Sequence, residues 1–200
     1  MFGRRTGLCF SKLCTEVVIT ISARIQRFLR PGTGISIPAS YTSYIAPISS
    51  QKLWCGARGG TLLHGGNSLE TPYVVKLFNH WKIAEEQPCF TFTHPLEQPL
   101  VAGENTHNDR FTSLTFPIPA SCTVHGFGAY FEAVLYKDVM ISIAPRSFST
   151  GMFSWFPMFF PIRTPVQLHI NNSETPTTLT ANFWRCSGGG KVWYEWCIVE

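Results

Sequence analysis

Short runs of β-branched and aromatic residues recur along this chain, separated by clusters of turn-forming residues. Pro, Gly, Asn and Asp dominate the intervals, and each of these residue types favours turns. This pattern predicts a mainly β fold, built as an antiparallel β-barrel or β-sandwich. The eight predicted strands are Tyr73–Phe78, Cys89–Thr93, Phe111–Phe116, Ala129–Tyr136, Val139–Ala144, Val166–Ile170, Thr177–Trp184 and Lys191–Val199.

Local patterns add detail to this fold. Ser187–Gly190 has the composition of a hairpin turn joining the last two strands. Lys191–Val199 is apolar on both faces, which predicts a strand covered on both sides. Ala23–Arg30 has apolar residues at helical spacing before Pro31, so a short amino-terminal helical segment is expected there. Gly59–Gly66 is predicted to be a flexible loop.

Charge and composition narrow the function classes. The chain has 200 residues, consistent with one domain, and only 14% of them are charged, against about 25% in ordinary soluble domains. This deficit indicates a surface that another molecule covers. Of the net charge of +4, residues 1–30 supply six basic side chains and one acidic one, leaving ten basic and eleven acidic side chains elsewhere. Nucleic-acid binding, which needs a clustered basic face, is therefore disfavoured.

Cofactor and metal patterns are weak. Seven cysteines are widely scattered, which predicts reduced thiols, and none has the spacing of a zinc knuckle. Gly32-Thr33-Gly34 precedes an extended segment ending at Pro38 rather than a helix, so it fails as a Rossmann-type cofactor turn.

Acid–base patterns are equally weak. Glu85 and Glu86 are expected to be hydrated in a polar loop, and His94 and His125 to lie at turns. Glu132 and Glu195 are predicted to be paired or rim carboxylates on strands. No set of residues has a recognisable catalytic spacing.

The start of the chain, residues 1–23, has several interpretations. Arg4 and Arg5 resemble the start of a secretory signal, but Lys12 and Glu16 interrupt the apolar run. The alternatives are a mitochondrial transit peptide and an unstructured start.

The stretch GMFSWFPMFFPI, Gly151–Ile162, is the most aromatic part of the chain. It is too short for a membrane span and carries Pro157 and Pro161, which are expected to prevent regular strand pairing. Two interpretations of Trp155 remain open. It is either part of a hydrophobic plug at the end of a barrel, or a binding wall that stacks on a guanidinium.

Four long segments carry a resemblance to a known family. The segments are SIPASYTSYIAPISSQKL (Ser36–Leu53), TPYVVKLFNHWKIAEEQPCFTFTHP (Thr71–Pro95), HGFGAYFEAVLYKDVMISIAPRSFSTGMFSWFPMFFPI (His125–Ile162) and NFWRCSGGGKVWYEWCI (Asn182–Ile198). In their order and aromatic content, these segments resemble the carboxy-terminal part of the type II protein arginine methyltransferases, which dimethylate arginine symmetrically. The likeness extends from about Arg24 to Val199.

The resemblance implies a division of the chain into three parts. Residues 1–23 match nothing in the family, residues 24–35 correspond to the end of a Rossmann-type domain, and residues 36–200 form the β-barrel domain for oligomerisation and substrate contact. In the family, the Rossmann-type domain binds S-adenosylmethionine and carries a glutamate pair. This chain is therefore expected to hold no cofactor, no metal and no catalytic residue, and methylation by it alone is not expected.

The resemblance also assigns a substrate site. Trp155 corresponds to the family's tryptophan that packs against the target guanidinium, and Ser154 and Phe156 to the positions beside the bound peptide. The implied partners are a second copy, a Rossmann methyltransferase domain and arginine-containing protein substrates, in the cytoplasm or nucleus, with no nucleic acid and no membrane. The alternative is a free-standing, non-catalytic β-sandwich module that binds peptides or a protein partner.

Overall fold

The computed structural model describes residues 29–30, 33–62, 68–94, 108–170, 177–188 and 191–199. Ten strands and one helix lie within these ranges. In chain order they are β1 (Ser40–Ser49), α1 (Gln51–Arg58), β2 (Tyr73–Val74), β3 (Trp81–Lys82), β4 (Gln87–Thr93), β5 (Arg110–Pro117), β6 (Cys122–Tyr136), β7 (Val139–Ser142), β8 (Met158–Leu168), β9 (Thr178–Gly188) and β10 (Lys191–Val199).

The strands form two antiparallel sheets. The larger has seven strands in the order β2-β8-β6-β1-β3, with β4 also paired to β1 and β7 to β6. The smaller has three strands in the order β10-β9-β5. Two sheets with separate strand orders make a sandwich-like arrangement, so the predicted mainly β, antiparallel fold is confirmed in its sandwich form.

The main core lies between the sheets, because both contribute buried residues to one cluster. Phe127 of β6 meets Phe183 of β9 edge-on at 5.1 Å, and Phe160 of β8 meets Trp196 of β10 edge-on at 5.0 Å. Edge-to-face rings of this kind add about 0.5 to 1.5 kcal/mol beyond the area they bury. The fully buried members include Phe92, Phe116, Val124, Phe127 and Ala181.

The sequence-based prediction missed three elements, β1, α1 and β3, and the first parts of β6 and β8. β1 contains Pro47, and β8 begins at Met158 rather than at the predicted Val166. The prediction that Pro161 prevents strand pairing is wrong. Pro161 pairs with Gly126 at an irregularity, where His125 of β6 lies opposite residues 162–165 of β8. Proline is tolerated at such a place because the ladder is already interrupted.

Helix α1 begins where Ser50 caps its first turn. The Ser50 side chain accepts a hydrogen bond from the Leu53 backbone N–H at 3.4 Å, and Gly59 N–H donates to the Cys55 carbonyl at the other end. Its buried Trp54 donates its indole N–H to the Ile162 carbonyl at 2.8 Å. The helix therefore packs against β8 just beyond the aromatic stretch.

Several predicted features fall wholly or partly outside the described residues. Of the predicted helix Ala23–Arg30, only the last two residues are described, and the glycine-rich loop is described only as far as Leu62. Gly188 pairs with Lys191, in agreement with the predicted hairpin. The three-part division of the chain stays a prediction.

Candidate functional site

A fifteen-residue segment, 143–157, connects β7 to β8 and is called here the aromatic loop. Its base is fixed by backbone hydrogen bonds, from Ile143 N–H to the Phe131 carbonyl at 3.0 Å and from Ser149 N–H to the Ser142 carbonyl at 2.9 Å. The far end is tied by Val75 N–H, which donates to the Pro157 carbonyl at 3.0 Å. The loop is thus held at both ends by the larger sheet.

Serine side chains strengthen the base of the loop. Ser142 is fully buried, and its hydroxyl lies 2.8 Å from that of Ser147. Ser147 in turn donates to the carboxylate of Glu132 on β6, and Ser149 Oγ accepts from Ser142 N–H at 3.0 Å. Glu132 is therefore a paired carboxylate on a strand, as the sequence predicts.

Trp155 lies near the far end of this loop. Its ring contacts Phe131 of β6 edge-on, with centroids 5.5 Å apart and planes at 69°. The side chain nevertheless keeps 36% of its surface exposed. One aromatic contact and a tethered backbone hold the indole while part of it faces outward.

The neighbours of Trp155 divide the aromatic stretch in two. Phe153 and Phe156 are exposed, as is Ser154, whereas Phe159 and Phe160 are buried in the cores. The second half of the stretch fills the interior, as the plug interpretation predicts for those residues. The predicted site residues Ser154, Trp155 and Phe156 lie together on the exposed half, and their substrate role stays a prediction.

Phe156 and Trp155 differ in whether a cation lies over the ring. The Lys76 ammonium lies 5.6 Å from the centroid of Phe156. Among the described residues, no Lys or Arg lies over the ring of Trp155. Phe156 already contacts an internal cation, and Trp155 is the ring of the pair that remains open to an external one.

A buried carboxylate lies beside this loop, and the sequence-based interpretation missed it. Glu86 was expected to be hydrated, but its side chain is 0% exposed and accepts from Lys82 Nζ at 2.7 Å. Lys82 also contacts the exposed Glu85 at 2.6 Å. Burial is the largest single influence on the pKa of Glu86 and raises it, but the hydrogen bonds from Lys82 and from the backbone of Glu86, together with the charges of Lys82 and Arg146, lower the pKa overall. Lys82 and Glu86 are four residues apart, a spacing that favours pairing on a helix, but they lie on β3 and in the segment after it, so no local rule predicts this pair.

Arg146 connects this carboxylate to the aromatic loop. Its Nε lies 3.6 Å from Glu86 Oε1, and its guanidinium lies 5.1 Å from the ring centroid of Tyr44 on β1. Tyr44 belongs to what we call the loop-base cluster. This cluster comprises Ala46, Tyr130, Ile143 and Ala144, with Tyr44, Leu77, Phe131 and Met152 packed against them. No sequence spacing links Arg146 to Glu86, so only the fold brings them together.

His94 and His125, the two histidines predicted to lie at turns, differ in their surroundings. His125 is in β6 rather than in a turn, with Nδ1 3.2 Å from Ser49 Oγ and Nε2 2.7 Å from Gln51 Oε1. His94 is buried and stacks on Tyr41 at 5.8 Å. Burial lowers the pKa of both imidazoles. Neither contacts Ser154, Trp155 or Phe156 in any interaction described above.

The described ranges contain no group of three or more His, Cys, Asp or Glu side chains placed to hold a metal ion. None of their helices has the length and apolarity needed to cross a membrane.

Sequence comparison places the chain among known proteins. Residues 40–200 match the family model of the PRMT5 oligomerisation domain. Protein arginine N-methyltransferase 5 of rice (Oryza sativa subsp. japonica) is 48% identical over 178 residues, covering 87% of this chain and 25% of the relative. The Xenopus laevis protein of the same name is 43% identical over 177 residues, covering 88% of this chain and 26% of the relative. The chain thus spans about a quarter of the length of these relatives.

Structural comparison agrees at the level of the fold. The Trypanosoma brucei PRMT1 enzyme-prozyme complex with AdoHcy superposes with a TM-score of 0.58 at 12% identity, over 80% of this chain and 51% of that chain. PRMT6 superposes with a TM-score of 0.52 at 12% identity, over 80% of this chain and 54% of that chain. An oligomerisation domain indicates self-association or complex formation as the role of this fold. The chain belongs to the PRMT5 oligomerisation domain family and is similar to one part of protein arginine N-methyltransferase 5.

Proposed function

We propose that this domain forms one wall of a substrate-arginine pocket in an S-adenosylmethionine-dependent enzyme that dimethylates arginine symmetrically. The observation that carries the proposal is the indole of Trp155, held by Phe131 and by a tethered loop yet 36% exposed. Ser154 and Phe156 flank it at the surface, where an extended peptide would lie.

The chemistry of arginine suits such a wall. A guanidinium is planar and weakly hydrated, so it stacks on an aromatic face with about 0.5 to 2 kcal/mol of stabilisation. Stacking also restricts the rotation of a long side chain, which raises the fraction of time the nitrogen is aligned with a methyl donor. In this role Trp155 orients the substrate and transfers no proton.

The described residues do not fit the methyl donor itself. S-adenosylmethionine, bound elsewhere, supplies the methyl group. A Rossmann-type site needs parallel strands with a helical crossover, whereas every strand pairing among the described residues is antiparallel. The donor and the glutamate pair therefore belong to a separate methyltransferase domain, with which this chain associates in the cytoplasm or nucleus.

A second function has support of its own. Phe153 is 86% exposed and Phe148 is 56% exposed, both in the aromatic loop. Exposed aromatic rings on one loop favour a protein-binding surface. The alternative is therefore a non-catalytic module that uses the same loop to bind a peptide or a protein partner.

Titration of the purified chain with an arginine-containing peptide tests whether Trp155 contributes to arginine binding. Calorimetry should show weak binding, and Trp155→Ala should weaken it by between about twofold and thirtyfold, the range that corresponds to stacking on a guanidinium. Trp81→Ala is the matched control, because Trp81 is 44% exposed on β3. Equal binding by the wild type and Trp155→Ala would contradict the proposal.

A second measurement separates the two functions. The chain is mixed with a separately expressed methyltransferase domain of a relative, and symmetric dimethylation of the peptide is followed by mass spectrometry. Activity that depends on this chain and falls with Trp155→Ala supports the pocket. Association with the domain and peptide binding without any gain in methylation supports the interaction module. Micromolar binding of S-adenosylmethionine by the isolated chain would overturn the assignment of the donor to another domain.

A further inference from the structure

Glu86 is an unusual carboxylate in this fold. It lies between β3 and β4, and its side chain is 0% exposed. One carboxylate oxygen, Oε2, accepts the hydrogen bond from Lys82. The other, Oε1, is buried and makes no hydrogen bond of good geometry with any described residue. A buried ionised oxygen without a donor is costly, so a cation held close to it is strongly favoured.

The cation that faces this oxygen belongs to the aromatic loop. Arg146 Nε lies 3.6 Å from Glu86 Oε1, and 54% of the Arg146 side chain is exposed. A half-exposed arginine would ordinarily lose little by moving into solvent. Here the fully buried partner and the contact with Tyr44 favour one arrangement of the guanidinium.

The contacts continue from Arg146 to the predicted binding wall. Tyr44, beneath the guanidinium, packs in the loop-base cluster with Phe131 and Met152. Met152 belongs to the aromatic loop, and Phe131 is the ring against which Trp155 packs. Arg146 therefore fixes the start of the loop, and its stacking partner belongs to the cluster that supports Trp155.

We infer that the Glu86–Arg146 pair positions Trp155, so that Glu86 is a positioning residue for arginine binding although it touches no substrate. The inference rests on the proposed function. The pair holds the first part of the aromatic loop against β1, and the loop-base cluster transmits this placement to the indole. The two cations contact different oxygens of Glu86. Lys82 donates to Oε2, and Arg146 of the aromatic loop lies near Oε1.

The test compares two adjacent glutamates in the whole chain. Glu86→Gln removes the charge that faces Arg146. Glu85→Gln is the matched control, because Glu85 contacts the same Lys82 at 2.6 Å but is 82% exposed, and no contact between Glu85 and Arg146 is among the ion pairs of the described residues. Glu86→Gln should weaken binding of the arginine peptide by about fivefold, within the range expected of a coupled residue. Glu85→Gln should stay within about twofold of the wild type.

A spectroscopic measurement separates positioning from general loss of stability. The Trp155 indole N–H resonance, assigned by its loss in Trp155→Phe, should shift in Glu86→Gln and in Arg146→Met and stay in place in Glu85→Gln. Arg146→Met alters a half-exposed side chain, so it carries the test if Glu86→Gln fails to fold. Arg146→Lys keeps the positive charge but should still shift the Trp155 resonance, because lysine lacks the planar group that stacks on Tyr44.

A double-mutant cycle decides whether the two residues act through each other. Glu86→Gln combined with Arg146→Met should bind the peptide no worse than the weaker single variant. Additive losses, or normal binding by both single variants while Trp155→Ala loses it, would overturn this inference and leave the proposed wall intact. If Trp155→Ala itself binds normally, the proposed function fails first.

Discussion

Two aromatic rings of this domain, Phe92 and Trp155, differ in their burial and in their contacts with arginine side chains. Phe92 is 1% exposed, and the guanidinium groups of Arg110 and Arg185 lie 4.7 and 5.1 Å from its centroid. Trp155 is 36% exposed, and none of the described Lys or Arg side chains lies over its ring. The fold thus uses stacking on an aromatic ring internally, where it stabilises the domain, and offers a similar surface externally.

The difference in burial decides what each ring can do. Arg185 is 1% exposed, and it donates to the Asn108 carbonyl while Phe92 also stacks on Tyr41 at 4.9 Å. Desolvating a guanidinium is costly, so such a site forms only as part of the folded core. The ring of Trp155 is partly exposed, and in the proposed function its open surface is available for stacking on the substrate guanidinium.

The largest expected effect is the loss of stability when the buried ring of Phe92 is removed. Phe92→Ala should lower the free energy of unfolding by about 3 to 5 kcal/mol, because it leaves a cavity among Tyr41, Arg110 and Arg185. Denaturant unfolding measures this change. Phe111→Ala, at a ring that is 57% exposed on β5, is the control and should cost about 1 kcal/mol. Equal losses for the two variants would contradict the distinction between internal and external rings.

The external ring should matter less for stability. Trp155→Ala removes one edge-on contact and part of a buried surface, so we expect a loss of about 1 to 2 kcal/mol in the free energy of unfolding. The same denaturant assay measures it, and the folded sheet content by circular dichroism should be unchanged. A loss as large as that of Phe92→Ala would indicate that Trp155 is core, as the plug interpretation holds.

Acid should protonate Glu86, the carboxylate that we infer to position Trp155. Because the pKa of Glu86 is lowered in the folded state, its ionised form stabilises the fold fully above the ordinary glutamate value of 4.5. That contribution is lost as the pH falls below 4.5 through the lowered value. The melting temperature of the wild type should therefore fall more steeply below pH 4.5 than that of Glu86→Gln. Parallel curves would contradict an ionised, paired Glu86.

The smallest effect on peptide affinity is expected at Phe156, over which Lys76 already lies. Lys76 lies over Phe156, so Lys76→Met should free that ring for an incoming arginine and raise peptide affinity by about twofold. Calorimetry with the same peptide measures it. Lys52→Met, on exposed α1, is the control for the loss of one positive charge. A decrease in affinity would mean that Lys76 itself contributes to binding.

The sequence predicted the strands whose pattern is local. β9 and β10 carry unbroken β-branched and aromatic runs, and their ladder extends from Gly188–Lys191 to Thr180–Val199. The start of β8 was missed because Pro161 was expected to prevent strand pairing, and β1, which contains Pro47, was not predicted. Whether a proline is accepted depends on what lies across the ladder, such as the irregularity opposite His125, and no local pattern encodes that.

The same limit applies to the site. Ser154, Trp155 and Phe156 are contiguous, so a resemblance to a family could single them out. Glu86 and Arg146 are sixty residues apart, and their pairing depends on the placement of β1, β4 and the aromatic loop. A buried charge is identified by what covers it, and the polar local sequence around Glu86 predicts the opposite.

Trp155 stands only four residues before Phe159, which is fully buried. Four residues span at most about 14 Å, so the indole cannot move far from the core. This short connection and the contact with Phe131 restrict the positions that the indole takes in the folded domain. In the proposed function, binding at Trp155 would then carry little further entropy cost, which favours rigid docking over binding coupled to folding.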